Sequence, residues 1–287
     1  MTDVSRGVQP KRDIVLLEVY LNALGYLARV DGRMDAETLA AVRRFQKEQG
    51  LVVDGIAGEK TWTKLFALKP ELLAAITEKW LSQGDIEQVA AASALPVAAV
   101  RAVYKVESAG SGFWGLRPKI LFEGHVFWQR LKRRGKDPAK LAAGNENVLY
   151  PKWDRTKYAG GPGEYARLEQ AQRIDSGAAF ESASWGLFQI LGYHAANIGY
   201  GEVEAFVERM QTNERAHLEA FSRFIDKQTF EGRPLADWLR VQDWRRFARA
   251  YNGPGYAQTK YDERLAAAYE AAVDADHQPK AVLALAA

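Results

Sequence analysis

The sequence contains no cysteine and only four histidines among its 287 residues. Without cysteine the chain can form no disulfide scaffold, no thiol nucleophile and no cysteine-ligated zinc site. The histidines are too scattered for an HExxH or similar metal-binding spacing, and the GxSxG elbow of a Ser-His-Asp hydrolase is also missing. We therefore expect no metal and no other cofactor, and the redox compartment stays open.

Long apolar runs and a strong net charge are missing as well. The longest nearly apolar run, Val89 to Val100, is shorter than the roughly 20 residues of a membrane-spanning helix and contains Pro96. Residues 1–10 are polar and lack the apolar core of a secretory signal. A formal net charge of +3 is too small to indicate nucleic-acid binding. We expect no signal peptide, no stable membrane association and no nucleic-acid partner, and we interpret the basic stretch Arg130 to Lys140 as a solvated helix face.

With 47% hydrophobic and 26% charged residues, the chain has the composition of a globular protein. Its length is sufficient for two domains. Pro70 interrupts the first helical pattern, and alternating strand patterns are scarce. Helices are predicted at 85–94, 96–107, 120–134, 164–175, 202–226, 243–251 and 262–273. We predict a mainly α fold, divided into a small three-helix module at 1–70, a linker helix at 71–84, a larger α-rich domain at 85–276 and a flexible tail at 277–287.

The first module contains an internal repeat with an offset of 23 residues. Asp31 to Thr38 and Asp54 to Thr61 both read DGxx[DG]xxT. Asp-Gly favours a tight turn because glycine tolerates positive φ, and the acidic or glycine position followed by Thr suits the start of a helix. Each copy therefore predicts a turn and then a helix. A further amphipathic helix upstream, from Ile14 to Leu24, completes a three-helix module.

The segments LNALGY at 21–26 and TLAAVRRFQKEQGLVVDGIAGEKTW at 38–62 resemble the peptidoglycan-binding domain family found at the ends of cell-wall hydrolases. The resemblance covers nearly the whole module. One departure is Glu18-Val19, where the family usually has Leu-Gln, and we expect it to affect packing more than binding. The resemblance implies peptidoglycan as the partner, although each Asp and Gly could serve only its own turn. The candidate wall contacts are Tyr26, Asp31, Gln46 and Asp54.

A glutamate ends the apolar stripe of the helix that starts at Pro96. Val100, Val103 and Glu107 fall at i, i+3 and i+7, so that the carboxyl group follows an apolar face. Burial disfavours the charged carboxylate and raises its pKa toward the range of a general acid at neutral pH. In the residues that follow, SAGSGF, serine and glycine allow a ligand to approach the backbone. Glu107 is thus a candidate proton donor, with a surface residue or an arginine partner as the alternative.

Four blocks in order, VESAGSGF at 106–113, ILFEGHVFW at 120–128, SASWGLFQI at 182–190 and AYNGPGY at 250–256, resemble the catalytic domain of the N-acetylmuramidase family of phage endolysins. They resemble goose-type lysozymes and lytic transglycosylases more loosely. In these families the acid that matches Glu107 is catalytic. The resemblance implies a lysozyme-like domain that hydrolyses the β-1,4 bond between N-acetylmuramic acid and N-acetylglucosamine, for lysis of the host cell.

Binding of a polysaccharide requires flat apolar faces for the sugar rings and side chains that hydrogen-bond hydroxyls and amides. Trp185 and Phe188 lie at i and i+3, and a core position explains them equally well. Gln189 and Asn252 need hydrogen-bond partners if they are buried. The candidate substrate contacts are Phe113, Ser182, Ser184, Trp185, Gln189, Tyr251 and Asn252.

Glycoside hydrolysis ordinarily uses two carboxylates, and the second is not evident. Glu123, sixteen residues after Glu107, is the leading candidate, with a structural role beside Arg117 or His125 as the alternative. The loop before Ile120 contains no acid, although some relatives have one there. Stereochemistry therefore stays open, as does a scheme in which serine hydroxyls hold the water and the substrate's acetamido group assists.

Two functions other than hydrolysis are also compatible with the sequence. A lytic transglycosylase would use the muramyl 6-hydroxyl in place of water and leave a 1,6-anhydro end, and a non-catalytic protein would only hold the wall. We expect a monomer, and the resemblance implies that it stays in the host cytoplasm until a separate membrane pore releases it to the cell wall. We interpret the tail at 277–287 as loosely held, with membrane disruption as the alternative.

Overall fold

The computed structural model describes residues 11–107 and 111–277. The chain forms two compact units, the first from Met1–Leu81 and Gly110–Phe221 and the second from Ser82–Ala109 and Ser222–Ala287. The predictions made for residues 1–10, and for the tail beyond His277, lie outside the described residues.

Helices dominate the described residues, which confirms the predicted mainly α fold. In chain order the helices are α1 (Lys11–Ala23), α2 (Ala36–Glu48), α3 (Glu59–Leu68), α4 (Pro70–Thr77), α5 (Gln83–Ala92), α6 (Val97–Glu107), α7 (Gly124–Arg133), α8 (Pro138–Leu141), α9 (Glu164–Gln172), α10 (Ser176–Glu181), α11 (Val203–Met210), α12 (Glu214–Lys227), α13 (Leu235–Arg240), α14 (Trp244–Asn252) and α15 (Tyr261–His277). The strands are β1 (Phe113–Trp114), β2 (Arg117–Pro118), β3 (Ile120–Phe122), β4 (Ala183–Trp185), β5 (Ile190–Leu191), β6 (Thr229–Phe230) and β7 (Arg233–Pro234).

The first unit begins with the predicted three-helix module. Helices α1, α2 and α3 enclose a core in which Tyr20 and Phe45 are fully buried and Trp62 is stacked on Phe66 with 5.4 Å between ring centroids. In segment 71–84, predicted as a linker helix, α4 ends at Thr77. Helix α5 starts only after Ser82, whose side chain caps it.

The rest of the first unit surrounds a small antiparallel sheet in the order β3, β4, β5. Ile120 pairs with Trp185, and Ser184 pairs with Leu191. The helix predicted at 120–134 therefore begins four residues late, at Gly124. Its apolar start is a strand because it pairs with a segment about 60 residues further along the chain.

The helix predicted at 202–226 is two helices, α11 and α12. The Asn213 side chain accepts a hydrogen bond from the backbone N–H of Ala216 and starts a new helix after Met210. Helix α12 continues into the second unit. There α15 packs along α6, and α14 packs against both α13 and α15. None of the helices in the part of the chain that the structure describes is long and apolar enough to cross a membrane.

Candidate functional site

Glu107 is the last residue of α6, whose inner face carries the buried side chains of Val100 and Val103. The Tyr261 hydroxyl, at the start of α15, donates a hydrogen bond to Glu107 Oε1. Tyr261 is buried and stacks on the ring of Tyr251 at 6.3 Å, which in turn stacks on Phe247 at 5.6 Å. The Glu107 carboxyl group therefore contacts an aromatic cluster of the second unit, which consists of Tyr261, Tyr251 and Phe247.

Burial raises the pKa of Glu107, while the Tyr261 hydroxyl and the positive charge of Arg264 lower it, and the net shift is upward. Arg264 is held near the end of α6 by a hydrogen bond to the carbonyl oxygen of Val106 at 3.2 Å. Burial, together with the neighbouring Glu107 charge, also raises the pKa of Tyr261 and of Tyr251, so both phenols stay protonated. A carboxyl group whose pKa is raised holds its proton to higher pH than a solvated glutamate does, and it can donate that proton to a ligand.

Glu123 lies in the first unit, between β3 and α7. Its backbone N–H donates to the carbonyl oxygen of Ser182 at 2.9 Å. Its side chain is 17% exposed, accepts a hydrogen bond from the Tyr158 hydroxyl on Oε2 and lies 3.4 Å from His125 Nδ1. Arg117, the other partner considered for Glu123, pairs with Glu169 instead.

A buried ion pair that the sequence analysis did not identify holds the strand just before Glu123. Glu164 is fully buried and accepts from Arg167 at 2.6 Å and from the backbone N–H of Phe122 at 3.1 Å. Arg167 donates to the carbonyl oxygen of Phe122 at 2.8 Å and lies over the Tyr158 ring. Removing either member would leave a buried charge unpaired, so the pair fixes both Glu123 and its tyrosine partner.

Trp185 and Phe188, in the SASWGLFQI block, occupy core positions. They are only 2% and 3% exposed. The Trp185 indole N–H donates to the carbonyl oxygen of Phe180, and Phe188 stacks on Phe221 at 4.5 Å. Ser182 is fully buried, and its hydroxyl donates to the carbonyl oxygen of Ala178 at 2.6 Å.

Gln189 differs from the rest of this block because it is exposed and adopts a left-handed backbone with φ of +48°. Its amide N–H donates to the carbonyl oxygen of Gly186 at 2.7 Å, and its oxygen accepts from the Ser184 hydroxyl at 2.9 Å. Backbone strain in a non-glycine residue is concentrated at functional sites. Asn252 is likewise exposed, at the end of α14.

His217 contacts two of the predicted substrate segments, a role that a lone histidine in the sequence does not indicate. Its ring stacks on Phe113 at 4.9 Å, its Nδ1 accepts from the backbone N–H of Leu187 at 3.1 Å and its Nε2 donates to the carbonyl oxygen of Met210 at 2.7 Å. A Cβ on Gly112 would lie 2.6 Å from the ring. Burial lowers the pKa of His217 to about 4, so it is neutral at pH 7.

Glu18, which departs from the usual sequence of the wall-binding family, has a structural role in the module. It is almost fully buried, and its carboxylate accepts hydrogen bonds from three successive backbone N–H groups of the first Asp-Gly turn, at 31–33. Burial raises the pKa of Glu18 to about 7 despite these three hydrogen bonds, which lower it. Gln46 has the equivalent place under the second turn, accepting from the Gly55 N–H at 2.9 Å and donating to the Ile56 carbonyl oxygen and to Asp54.

The other candidate wall contacts reach the module surface to different degrees. Tyr26 packs edge to face on Phe45 and donates its hydroxyl to Glu48. Asp31 pairs with Arg29 at 3.1 Å. Asp54 is exposed, and its pKa is lowered by the hydrogen bond from the Ile56 N–H and by that from the Gln46 amide. Within residues 11–107 and 111–277, no cluster of three or more His, Asp or Glu side chains could hold a metal ion.

The fold is that of a mainly helical glycoside hydrolase that carries a wall-binding module. Residues 96–273 match the model of the N-acetylmuramidase family, and residues 11–65 match that of the putative peptidoglycan binding domain. The chain belongs to the N-acetylmuramidase family, which confirms the family predicted from the four sequence blocks.

Known proteins agree with this assignment. The crystal structure of the Burkholderia AP3 phage endolysin is similar to this chain with a TM-score of 0.65 and 37% identity, covering 96% of this chain and 99% of that one. An uncharacterized protein from the bpoA1 3' region of Kitasatospora aureofaciens is 51% identical over 49 residues, which are 17% of this chain and 41% of that protein. The chain is a peptidoglycan-hydrolysing endolysin, and neither the transglycosylase nor the non-catalytic alternative is favoured.

Proposed function

We propose that this muramidase cleaves the β-1,4 bond between N-acetylmuramic acid and N-acetylglucosamine with Glu107 as the general acid. The observation that carries the proposal is the position of the Glu107 carboxyl group, which ends an apolar helix face and accepts a hydrogen bond from the buried Tyr261; its burial raises its pKa. The protonated carboxyl group gives its hydrogen to the glycosidic oxygen as the bond to the anomeric carbon breaks, and the leaving sugar departs as a neutral alcohol.

Tyr261 acts as the positioning residue for this acid. Its hydroxyl donates to Glu107 Oε1, so we assign the transferable proton to Oε2. After transfer, the same hydroxyl and the positive charge of Arg264 stabilise the carboxylate that remains. The two groups therefore favour the product of the proton transfer, while burial favours the reactant.

We assign Glu123 as the second carboxylate, acting as base, nucleophile or electrostatic stabiliser of the anomeric carbon. Its carboxylate is partly exposed, and Tyr158 donates to one of its oxygens. The buried Glu164–Arg167 pair keeps the preceding strand in place. Water attack in place of the muramyl 6-hydroxyl makes the reaction a hydrolysis.

The proposed sugar contacts divide by exposure. Gln189 and Asn252 are exposed, and Ser184 is hydrogen-bonded to Gln189; we assign these polar side chains to hydroxyl and acetamido groups of the glycan. Tyr251 forms part of the aromatic cluster around the acid. The buried side chains of Phe113, Ser182 and Trp185 support the surrounding backbone.

The module at 1–70 would hold the enzyme on its insoluble substrate and raise the local concentration of cleavable bonds. Tyr26, Asp31 and Asp54 are the proposed wall contacts, and Gln46, buried under the second turn, holds Asp54 in place through its amide. The larger domain at 85–276 would carry the chemistry, joined by segment 71–84. We further propose a monomer that needs neither membrane nor nucleic acid and stays in the host cytoplasm until it is released to the wall.

The test is Glu107→Gln, assayed on purified sacculi with Glu270→Gln, an exposed glutamate of α15, as the matched control. We expect Glu107→Gln to lose about 10²- to 10⁴-fold in rate with an unchanged circular dichroism spectrum, and Glu270→Gln to behave like the wild type. Mass spectrometry of the wild-type products should find one water added per cleaved bond. Normal lysis by Glu107→Gln, or anhydro ends without added water, would contradict the proposal.

A further inference from the structure

A groove of about 620 Å³ runs through the first unit between the wall-binding module and the β1–β2 hairpin. Most of the side chains that form it are aliphatic or aromatic. Its volume is in the range of ordinary ligand sites. The groove is lined by Val19, Asn22, Ala23, Ala28, Arg29, Val30, Leu72, Trp114, Gly115, Leu116, Arg117, Pro162, Gly163 and Tyr165.

The two sides of the groove pack directly on one another. A Cβ on Gly115, at the tip of the hairpin, would lie 3.3 Å from Val19 Cγ2 in α1. A Cβ on Gly32 would lie 3.7 Å from the Trp114 ring. Glu18 holds the turn that contains Gly32 through its backbone N–H groups, so the module side of this contact is anchored.

The groove presents an exposed cation, Arg117, to an acidic ligand. The Arg117 guanidinium lies 3.6 Å over the ring of Tyr165, whose hydroxyl is fixed by a hydrogen bond to the carbonyl oxygen of Pro118. The Arg117 side chain is 60% exposed, and the side chain of its ion-pair partner Glu169 is 57% exposed. Such exposed pairs contribute little and exchange readily. A ligand carboxylate could replace Glu169 and bind the planar guanidinium through two hydrogen bonds.

The other polar side chains of the groove already have partners. The Asn22 amide donates to the carbonyl oxygens of Leu27 and Ala28, and Arg29 pairs with acidic side chains of the module, including Asp35 at 2.7 Å. A glycan strand has a hydroxyl or amide on nearly every carbon and would lose hydrogen bonds in such a site. A short peptide with methyl or methylene side chains and free carboxylates fits better.

We propose that this groove binds the peptide stem of peptidoglycan, with the alkyl side chains of the stem between α1 and the hairpin and a carboxylate on Arg117. The inference rests on the proposed function, since the stem is attached to the muramyl sugar of the same polymer. The module and the hydrolase part then recognise one stem together, and substrate selection extends beyond the sugar chain.

The test uses two exposed alanines of the module. Ala28→Trp fills the groove, and Ala40→Trp, on the exposed face of α2 and outside the lining, is the matched control. The probe is a soluble tetrapeptide stem, L-alanyl-γ-D-glutamyl-diaminopimelyl-D-alanine, titrated into the full-length protein by NMR. We expect shifts at the Trp114 indole and about a tenfold weaker affinity for Ala28→Trp and for Arg117→Gln, but not for Ala40→Trp.

Enzyme assays separate this inference from the proposed function. On intact sacculi, Ala28→Trp should raise KM about tenfold, whereas on glycan strands stripped of their peptides it should equal the wild type and Ala40→Trp. The inference would be overturned if the stem did not bind, or if the two tryptophan variants behaved alike. It would also be overturned if a peptide-free disaccharide displaced the stem. Wild-type cleavage of stripped strands would leave the proposed function standing in each of these cases.

Discussion

The hydroxyl of Tyr261, the first residue of α15, donates to Oε1 of Glu107, the last residue of α6. These residues are 154 positions apart in the chain. The hydrogen bond opposes burial, because it stabilises the charged carboxylate while burial disfavours it. The pKa of the proposed acid is therefore set by a balance of neighbouring groups.

Tyr261→Phe should move the alkaline limb of the pH–rate profile to higher pH. A general acid must be protonated, so the rate falls as pH rises through its pKa. Removing a donor to the charged form raises that pKa, so the alkaline limb moves upward. The measurement is kcat/KM on soluble glycan across pH. Tyr269→Phe, on the same helix and packed on Trp244, should leave the limb in place, and a downward shift for Tyr261→Phe would contradict the assignment.

Glu123→Gln separates a catalytic from a structural role for the second carboxylate. If Glu123 acts on the anomeric carbon, the rate should fall by about a hundredfold or more while the thermal midpoint stays close to that of the wild type. Tyr158→Phe removes the hydroxyl that orients it and should cost less. A Glu123→Gln enzyme that unfolds earlier but retains normal activity per folded molecule would make Glu123 structural. For the wild-type enzyme, NMR of the anomer that forms first distinguishes inversion from retention.

The local chemistry of the acid was predictable from the sequence, and its partners were not. An apolar stripe ending in Glu107 is visible at helical spacing, whereas Tyr261 and Tyr158 meet their glutamates only through the tertiary fold. The apolar start of block 120–128 likewise indicates a helix until its strand partner, β4, is known. Features that depend on neighbouring residues in the chain could thus be predicted from the sequence. Contacts between segments far apart in the chain could not.

Buried aromatic residues show the same limit at the candidate sugar site. Trp185 is as suitable for stacking on a sugar as for a core, and its spacing does not distinguish the two roles. Its place in the central strand of the sheet buries it. Gln189, three residues after Gly186, lies in the turn between the strands, where it is exposed and has a left-handed backbone.

His217 predicts a loss of stability on acidification. Its pKa is about 4 in the folded protein against 6.5 when exposed, so the unfolded chain binds the proton more readily. Stability contributed by the neutral ring is present above about pH 6.5 and is lost as pH falls toward 4, by up to about 3 kcal/mol. Urea unfolding of the wild type and His217→Gln should show a flatter pH dependence for the variant, whose stability at pH 7 is lower.

His194 provides the comparison for this measurement. Burial also lowers its pKa to about 4, and the Arg130 charge adds to the shift. His194→Gln should remove its own share of the acid sensitivity while leaving the loops that contact His217 in place. Parallel stability curves for the wild type and His217→Gln between pH 4 and 7 would exclude a neutral buried ring at position 217.

Glu18 predicts a pH effect of the opposite sign within the wall-binding module. Its folded pKa, about 7, lies above the unfolded value of 4.5, so the folded module binds the proton more readily. The resulting stability is fully present below about pH 4.5 and is lost as pH rises through 7, amounting to about 2 kcal/mol after allowance for solvent screening. Glu18→Gln cannot titrate, and its unfolding free energy relative to the wild type should therefore rise by that amount between pH 4.5 and 8. Glu59→Gln, at the exposed start of α3, should keep the wild-type pH dependence, and a Glu18→Gln curve parallel to that of the wild type would show that Glu18 is already ionised throughout this range.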